Sequence, residues 1–294
     1  MPAVSVIIAT FNRAQMLRCA IRSVLRQTFT DFELIVSGDA CTDDSEQIVA
    51  AFADERVRWM NRAEHCGSQW GPNNDAIAAA RGDSIAFLGH DDLWLPWHLE
   101  TLVPLLEDFV HPLGVLIGPE GVRDVFAPPP VGEDYDTNFV APSGWLVRKS
   151  VLQSLGGFRS HAVTSCGTDT DLLRRLWKAG HRIVHAPRLS VLKFPSVWWG
   201  AYRTDAALPQ EWWLARDPND VERELLTGAV LMLATTRPHA NPRRAFALAL
   251  RNGLRWLRNR VEGERGAIAA LMRARFRRSL RDVRRRRGLP SSRA

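Results

Sequence analysis

Through the first 110 residues, short apolar runs alternate with stretches of helical periodicity, and that alternation restricts the folds open to the chain. Residues 4–9 are apolar except for Ser5 and rich in β-branched side chains. They are too few for a helix and read as a strand buried on both faces. Leu17, Ile21, Val24 and Leu25 then recur at helical spacing. Residues 32–36 read as a second strand. Residues 43–52 read as a helix with Asp43 as N-cap and Glu46 closing a capping box. Residues 57–60 suggest a short third strand, and 74–81 a helix that Gly82 stops. Residues 84–88 form a further strand running straight into Gly89, His90, Asp91 and Asp92, with a helix over 93–106 and Pro96 in its first turn. Such alternation builds βαβ units, hence an α/β fold: a mainly parallel sheet with helices on both faces. Ligands of these sheets bind beyond the carboxyl ends of the strands. Thr10 with Asn12, Asp39, and Asp91 with Asp92 each follow a predicted strand, so three polar clusters should converge on one crevice.

The pattern then changes. Residues 118–136 carry Pro128, Pro129 and Pro130 among several acids and read as a surface loop. Residues 143–147 are strand-like, and Gly156-Gly157-Phe158 is a turn. Residues 169–179 form a helix with Leu172, Leu173 and Leu176 inward and Gly180 at its end; 182–185 and 189–192 are further strands. From Pro242 the pattern is helical throughout: Leu250, Leu254, Leu257 and Val261, then Ile268, Met272, Phe276 and Leu280, with arginines between.

A chain of 294 residues holds one large α/β domain with a smaller appendage and needs no disulfide to secure its core. Cys19, Cys41, Cys66 and Cys166 form no C-x-x-C pair, which argues against a zinc knuckle or redox motif and for free thiols in a reducing compartment. No basic leader precedes the first apolar run, and the longest late apolar run, residues 229–234, is far shorter than a membrane span. A cytoplasmic protein is expected, with room for peripheral contact with the inner face of the membrane. The net charge of +7 hides an asymmetry: residues 241–294 hold 17 Arg, no Lys and 3 acids, a local +14, which leaves the first 240 residues at −7. An acidic body disfavours nucleic acid, so a polyanionic partner is to be sought at the tail.

Two adjacent carboxylates on a loop are costly without a counter-charge. Mg²⁺ characteristically takes one or two carboxylates plus substrate phosphates. Asp91 and Asp92 thus read either as a metal site or as the acidic start of the next helix. Asp39 reads as an acceptor for a base or ribose, or as turn chemistry. Asp169 and Asp171 stand at a helix start and point in different directions; one suits a cap, the other a general base.

Three runs, in order, carry a resemblance: Val4-Ser5-Val6-Ile7-Ile8-Ala9-Thr10-Phe11-Asn12-Arg13, Ser23-Val24-Leu25-Arg26-Gln27-Thr28-Phe29 and Phe32-Glu33-Leu34-Ile35-Val36. They resemble the opening of family 2 glycosyltransferases, and the resemblance extends over residues 3 to about 195. It implies a GT-A, Rossmann-like catalytic domain over residues 1–205, with a nucleotide-binding half (1–110) and an acceptor-binding half (111–205). Residues 206–294 remain as a helical, arginine-rich C-terminal extension. The implied reaction is inverting transfer of a sugar from a UDP-, GDP- or dTDP-linked donor to a saccharide or lipid-linked acceptor, as in polysaccharide biosynthesis, assisted by Mn²⁺ or Mg²⁺. By the same resemblance Thr10, Asn12 and Arg13 match the loop near the donor nucleotide, and Asp39 the residue at the nucleobase. Asn74, Arg81 and Gly82 match the segment before the metal strand and join the donor-binding set. Asp91 matches the metal-holding last acid of the D-x-D motif, with Asp92 beside it as a second ligand and donor contact. Asp169 matches the general base on the acceptor hydroxyl; Asp171, Leu172 and Arg175 match the helix after it. The chain departs from the family pattern in Gly38 before Asp39, in Gly89 for the first acid of D-x-D, and in Thr168 for the glutamate before the base.

Trp97 reads as a sugar platform or as packing, and His185 as an extra metal ligand or a structural imidazole. Trp198 and Trp199 follow Lys193-Phe194-Pro195, where the family chain closes over the donor. The tail reads as a solvated helical face, as an anionic-lipid contact or as a nucleic-acid arm; the lipid surface suits lipid-linked acceptors best. Two other classes of function stand beside the enzyme: a non-catalytic nucleotide-sugar-binding protein, which Gly89 and Thr168 invite, and a membrane-surface adaptor acting through the tail.

Overall fold

The structure is a computed structural model describing residues 1–126, 135, 140–199, 209–235 and 282. The three consecutive prolines and the helical repeats read from Pro242 onward lie outside the described residues.

β1 (Val4–Thr10), β2 (Phe32–Gly38), β3 (Val57–Asn61) and β4 (Ser84–Phe87) form where the apolar runs stand and lie side by side as β3-β2-β1-β4, all parallel. Their register sets Thr10 level with Gly38, so the loops after β1 and β2 leave the sheet together. α1 (Ala14–Leu25), α2 (Ser45–Ala50) and α3 (Trp70–Ala79) make the crossovers, and α1 buries Leu17, Ile21 and Val24 as their spacing predicts. The N-cap of α2 is Asp44 and carries no side-chain cap bond, so the expected capping box of Asp43 and Glu46 is absent. Asp43 instead ties the starts of α1 and α2, Oδ1 accepting from the Ser45 hydroxyl at 2.6 Å and Oδ2 from Ala14 N at 2.9 Å. α3 ends at Ala79, ahead of Gly82, with Ala80 already extended. Gly82 is needed for close approach instead, because a Cβ there would lie 2.8 Å from the Ser5 backbone nitrogen.

The remaining elements are β5 (Leu93–Trp94), α4 (His98–Leu102), β6 (Phe109–Gly118), β7 (Gly121–Phe126), β8 (Leu146–Arg148), α5 (Lys149–Ser154), α6 (Thr168–Lys178), β9 (Ile183–Lys193), α7 (Ser196–Trp199), α8 (Pro209–Leu214) and α9 (Pro218–Thr235). The sheet continues β4-β8-β6-β9-β5, with β7 paired to β6. β6 and β9 run parallel; the β4–β8, β6–β8, β5–β9 and β6–β7 pairs are antiparallel. The expected α/β architecture is present, but the all-parallel part is its first half. The single helix expected over 93–106 is replaced by β5, α4 and a short 3₁₀ turn (Val103–Leu105). β7 occupies the start of the expected surface loop. The two runs at 182–185 and 189–192 join as one strand, because the register against β6 skips Pro187 and Arg188. Gly180, at φ +79°, ends α6 as expected.

A large core gathers around β1, β2, β4, β6 and β8. A second joins Leu93, Trp97, Val115, Ile117, Leu192 and Phe194 to Val221, Leu225 and Ala229 of α9. Val221, Leu225 and Ala229 thereby pack α9 against the sheet. All four cysteines are free thiols. Among the described residues no helix is long and apolar enough to cross a membrane.

Candidate active site

The carboxyl ends of β1 and β2 are tied together first. Thr10 is buried, and its carbonyl accepts from Asp39 N at 2.9 Å. Asn12 adopts φ +48°, a left-handed conformation asparagine tolerates. Its Oδ1 accepts from Thr42 N at 2.8 Å, binding one loop to the next. Arg13 stands just before α1, with Nη2 2.9 Å from Met16 Sδ. Asp39 is buried and accepts from Cys66 N and Gly67 N, both at 2.9 Å. His65 Nδ1 lies 2.9 Å from Asp39 Oδ2, and the His65 ring rests on Phe11 with centroids 4.0 Å apart. Asp39 thus organises the 65–67 loop as a wall containing Phe11, His65 and Arg62, whose Nε is 3.7 Å from Asp39 Oδ1. Those three were not singled out as site residues from the sequence. Phe11 stands inside the first motif run, but nothing local marks His65 or Arg62 as its neighbours.

Asp91 and Asp92 sit in a tight turn closed by Asp92 N donating to Gly89 O at 3.1 Å. Within it the pair divides. Asp92 is fully buried: Oδ1 accepts from Phe194 N at 2.9 Å, and Oδ2 accepts from Lys193 Nζ at 2.8 Å and from the Ser143 hydroxyl. Burial pushes the Asp92 carboxyl up, against the pull of the Lys193 ammonium. Asp91 is half-buried, and among the described residues its carboxylate makes no hydrogen bond; its carbonyl is held by Gln210 Nε2 of α8 at 2.9 Å. Neither acid caps a helix, since β5 and three more residues separate them from α4. Gly89 leaves the space both carboxylates use: a Cβ there would lie 2.7 Å from Asp92 Oδ2 and 3.1 Å from Asp91 Oδ1.

Asp169 stands in the first turn of α6, half-buried, with Oδ1 accepting from Thr170 N at 2.8 Å. Burial raises its carboxyl above the ordinary value, and the nearby Lys193 ammonium holds part of that rise back. Asp171 takes the structural part, accepting from Arg175 Nε at 2.8 Å while Arg175 also donates to Gly157 O at 2.6 Å.

Three expected donor contacts lie elsewhere in the packing. Asn74 spends both ends of its carboxamide on Phe158, accepting from N at 2.9 Å and donating to O at 2.8 Å. Arg81 and Gly82 precede β4, at the end of the strand opposite Asp91, and their amides go to Glu33 at 2.6 Å and Ser5 Oγ at 2.9 Å. Trp97 is buried with its indole on Leu189 O at 3.0 Å, so it packs the core and offers no face to a sugar. The His185 ring meets His111 edge-on, centroids 5.1 Å apart, and Lys193 stands eight residues further along β9.

Among the described residues no group of three or more His, Cys, Asp or Glu side chains is placed to hold a metal. The donor set fits one hard cation that takes Asp91 as its protein ligand and phosphate oxygens for much of the rest, a mode Mg²⁺ uses. Asp92 is fully buried and both its oxygens already accept hydrogen bonds, so Asp91 is the more open of the two carboxylates. Away from these carboxylates, an apolar groove of about 700 Å³ opens between the β6–β7 hairpin, α8 and α9, lined by Ile117, Val122, Trp199, Trp212, Leu225 and Leu231.

Known proteins resemble the chain in sequence and in fold. The GalNAc(5)-diNAcBac-PP-undecaprenol beta-1,3-glucosyltransferase of Campylobacter jejuni is 36% identical over 125 residues, 41% of this chain and 40% of that one. The chain spans about half or less of the length of the first curated relatives it matches. The fold is shared with Staphylococcus aureus TarS in complex with UDP-GlcNAc (TM-score 0.54, 16% identity, covering 88% of this chain and 79% of that one). It is shared also with a mannosyltransferase of Pyrobaculum calidifontis in complex with GDP-Man and Mn²⁺ (TM-score 0.53, 19% identity, covering 98% and 82%). Residues 5–156, which run from β1 through the 89–92 turn to the end of α5, match the family described as Glycosyl transferase family 2. With more than half of its length matched, from the first strand through the acidic turn, the chain belongs to glycosyl transferase family 2.

Proposed function

We propose that the chain transfers a sugar, with inversion, from a nucleotide-sugar donor to a saccharide or lipid-linked acceptor. The observation that carries this is that Asp91, whose carboxylate is unbonded among the described residues, and Asp169, at the start of α6, both lie within electrostatic reach of one ammonium, that of Lys193. The loops after β1 and β2, with Thr10, Asn12, Arg13 and the Asp39 wall, form the nucleotide side of the crevice. Asp91 would hold Mn²⁺ or Mg²⁺, and the ion, when bound, would offer positive charge beside the departing diphosphate. Asp169 takes the proton of the acceptor hydroxyl as its oxygen attacks the anomeric carbon from the face opposite the nucleotide. A base works best when its pKa approaches the working pH, and burial moves Asp169 in that direction. TarS and the mannosyltransferase bind UDP-GlcNAc and GDP-Man, which supports a nucleotide-sugar without choosing the base. A panel of UDP-, GDP- and dTDP-sugars, each with Mn²⁺, tests the reading by thermal shift. At least one should raise the melting temperature by mass action; no shift with any of them counts against the donor reading and the binding-protein reading alike.

The acceptor side has its own support. Relatives act on undecaprenol-diphosphate-linked saccharides by name. In this chain Trp212 and Leu231 are exposed at the apolar groove and Val230 and Leu233 are exposed elsewhere on α9, which precedes the arginine-rich 241–294. We read this side as a peripheral contact with an anionic membrane that carries the acceptor. Cosedimentation with phosphatidylglycerol vesicles but not with phosphatidylcholine vesicles is the expected result.

A further inference from the structure

Lys193 ends β9 and turns its ammonium onto the 89–92 turn. Nζ donates to Asp92 Oδ2 at 2.8 Å and lies within electrostatic reach of Asp91 and Asp169 as well. Three acids, two from the 89–92 turn and one from α6, thus act on one cation. The pair is asymmetric: Asp92 is fully buried, while 23% of the Lys193 side chain is exposed. The lysine is the partner that faces out. Asp92 has its own support from Phe194 N and the Ser143 hydroxyl. An ammonium carries three donors, and the hydrogen bond to Asp92 uses one. An ion pair buried only for stability is a weak reason to keep a charged residue. A lysine that faces a crevice beside an unbonded carboxylate has a clearer use, as a point charge for phosphate.

We propose that Lys193 binds the diphosphate of the donor directly, beside the cation at Asp91, so that the nucleotide is held in the crevice even when no divalent metal is present. Gly89 gives the inference its reason. With no acid at 89, a cation has one protein carboxylate to rest on, and a fixed ammonium supplies part of the missing positive charge without competing for that ligand. In the transfer, the acceptor oxygen forms its bond to the anomeric carbon as the bond from that carbon to the phosphate oxygen breaks. The electron pair stays on the nucleoside diphosphate, where Lys193 meets it, and the acceptor proton goes to Asp169.

This inference rests on the nucleotide-sugar reading, and calorimetric titration of UDP, GDP and dTDP separates the two. Each is titrated into the full chain with Mn²⁺ and again with EDTA. The expected result is that one nucleotide binds with Mn²⁺ and still binds measurably in EDTA. Lys193→Met should weaken the EDTA binding by about 10- to 100-fold, the loss of a hydrogen bond to a charged group, and Lys193→Arg should restore most of it. Lys193→Met combined with Asp92→Asn removes both partners of the ion pair; it should show the same loss should the single variant fold poorly. Binding with Mn²⁺ but none in EDTA overturns the proposal, as does EDTA binding that either methionine variant leaves unchanged. Absence of binding by all three nucleotides even with Mn²⁺ overturns the nucleotide-sugar reading and this inference with it.

Discussion

The two halves of the sheet contribute to the crevice in different ways. In β3-β2-β1-β4 the central strands β2, β1 and β4 are largely apolar, every neighbour is parallel, and the polar loops after β1, β2 and β4 follow their own strands directly. In β8-β6-β9-β5 the pairs are mostly antiparallel, and Lys193, Phe194 and Ser143 reach the acidic turn from residues 51 to 102 positions away in sequence. The first half makes the crevice and the second half holds its charges in place. Asp91 and Asp92 mark the seam: one faces the crevice, and the other is the anchor to which the second half is tied.

That contrast can be broken at its anchor. Asp92→Ala removes the carboxylate that receives Lys193, Ser143 and Phe194 N, and should destabilise the fold by about 3–5 kcal/mol, the summed cost of leaving a buried amide, a buried hydroxyl and a partly buried ammonium without their acceptor. Equilibrium denaturation measures it, and a loss below about 1 kcal/mol would mean that the seam is not held there. Gly82→Ala strikes the first half, where a Cβ 2.8 Å from a backbone atom of β1 should cost about 1–3 kcal/mol by overpacking, with little effect on metal-supported donor binding. Asp91→Asn sharpens the comparison from the other side. Its carboxylate bonds to no described residue, so stability should stay within about 0.5 kcal/mol of wild type. Its Mn²⁺-supported donor affinity should nevertheless fall by about tenfold or more.

The same division explains how much could be read from sequence. β1, β2 and β4 were legible because buried parallel strands need uninterrupted apolar runs, and β1 and β2 appear within a residue or two of their expected ends. β6 was not, because Pro112, Gly114 and Gly118 break its pattern; Gly114 is required there because a Cβ would meet the Phe126 ring at 2.1 Å. β9 was read as two strands because Pro187 and Arg188 sit where its register slips. Asp39, Asp91 and Asp169 were picked out by their positions after strands or at a helix start. The division of labour between Asp91 and Asp92 was not legible, since it depends on three partners that only the folded chain brings near. Lys193 enters the sequence reading only as the start of Lys193-Phe194-Pro195, because a lysine at the end of a strand has no local signature of the acid it meets. Asn74, Arg81 and Gly82 were drawn in by motif order, while their contacts are with the body of the fold.

Asp169 tests the central claim most directly, that a crevice built by the first half works through a base supplied by the second. Its folded pKa lies above the ordinary 3.8, so ionised Asp169 lowers stability; that cost is absent below 3.8 and complete once pH has risen through the folded value. Asp169→Asn should therefore gain stability relative to wild type as pH rises through that window, and wild-type turnover should fall on its acid side. The decisive measurement is donor binding and sugar transfer by Asp169→Asn with Mn²⁺. The account predicts donor affinity within about twofold of wild type and transfer reduced by about 100-fold or more. Transfer that survives within about tenfold, or donor binding lost together with transfer, would contradict it.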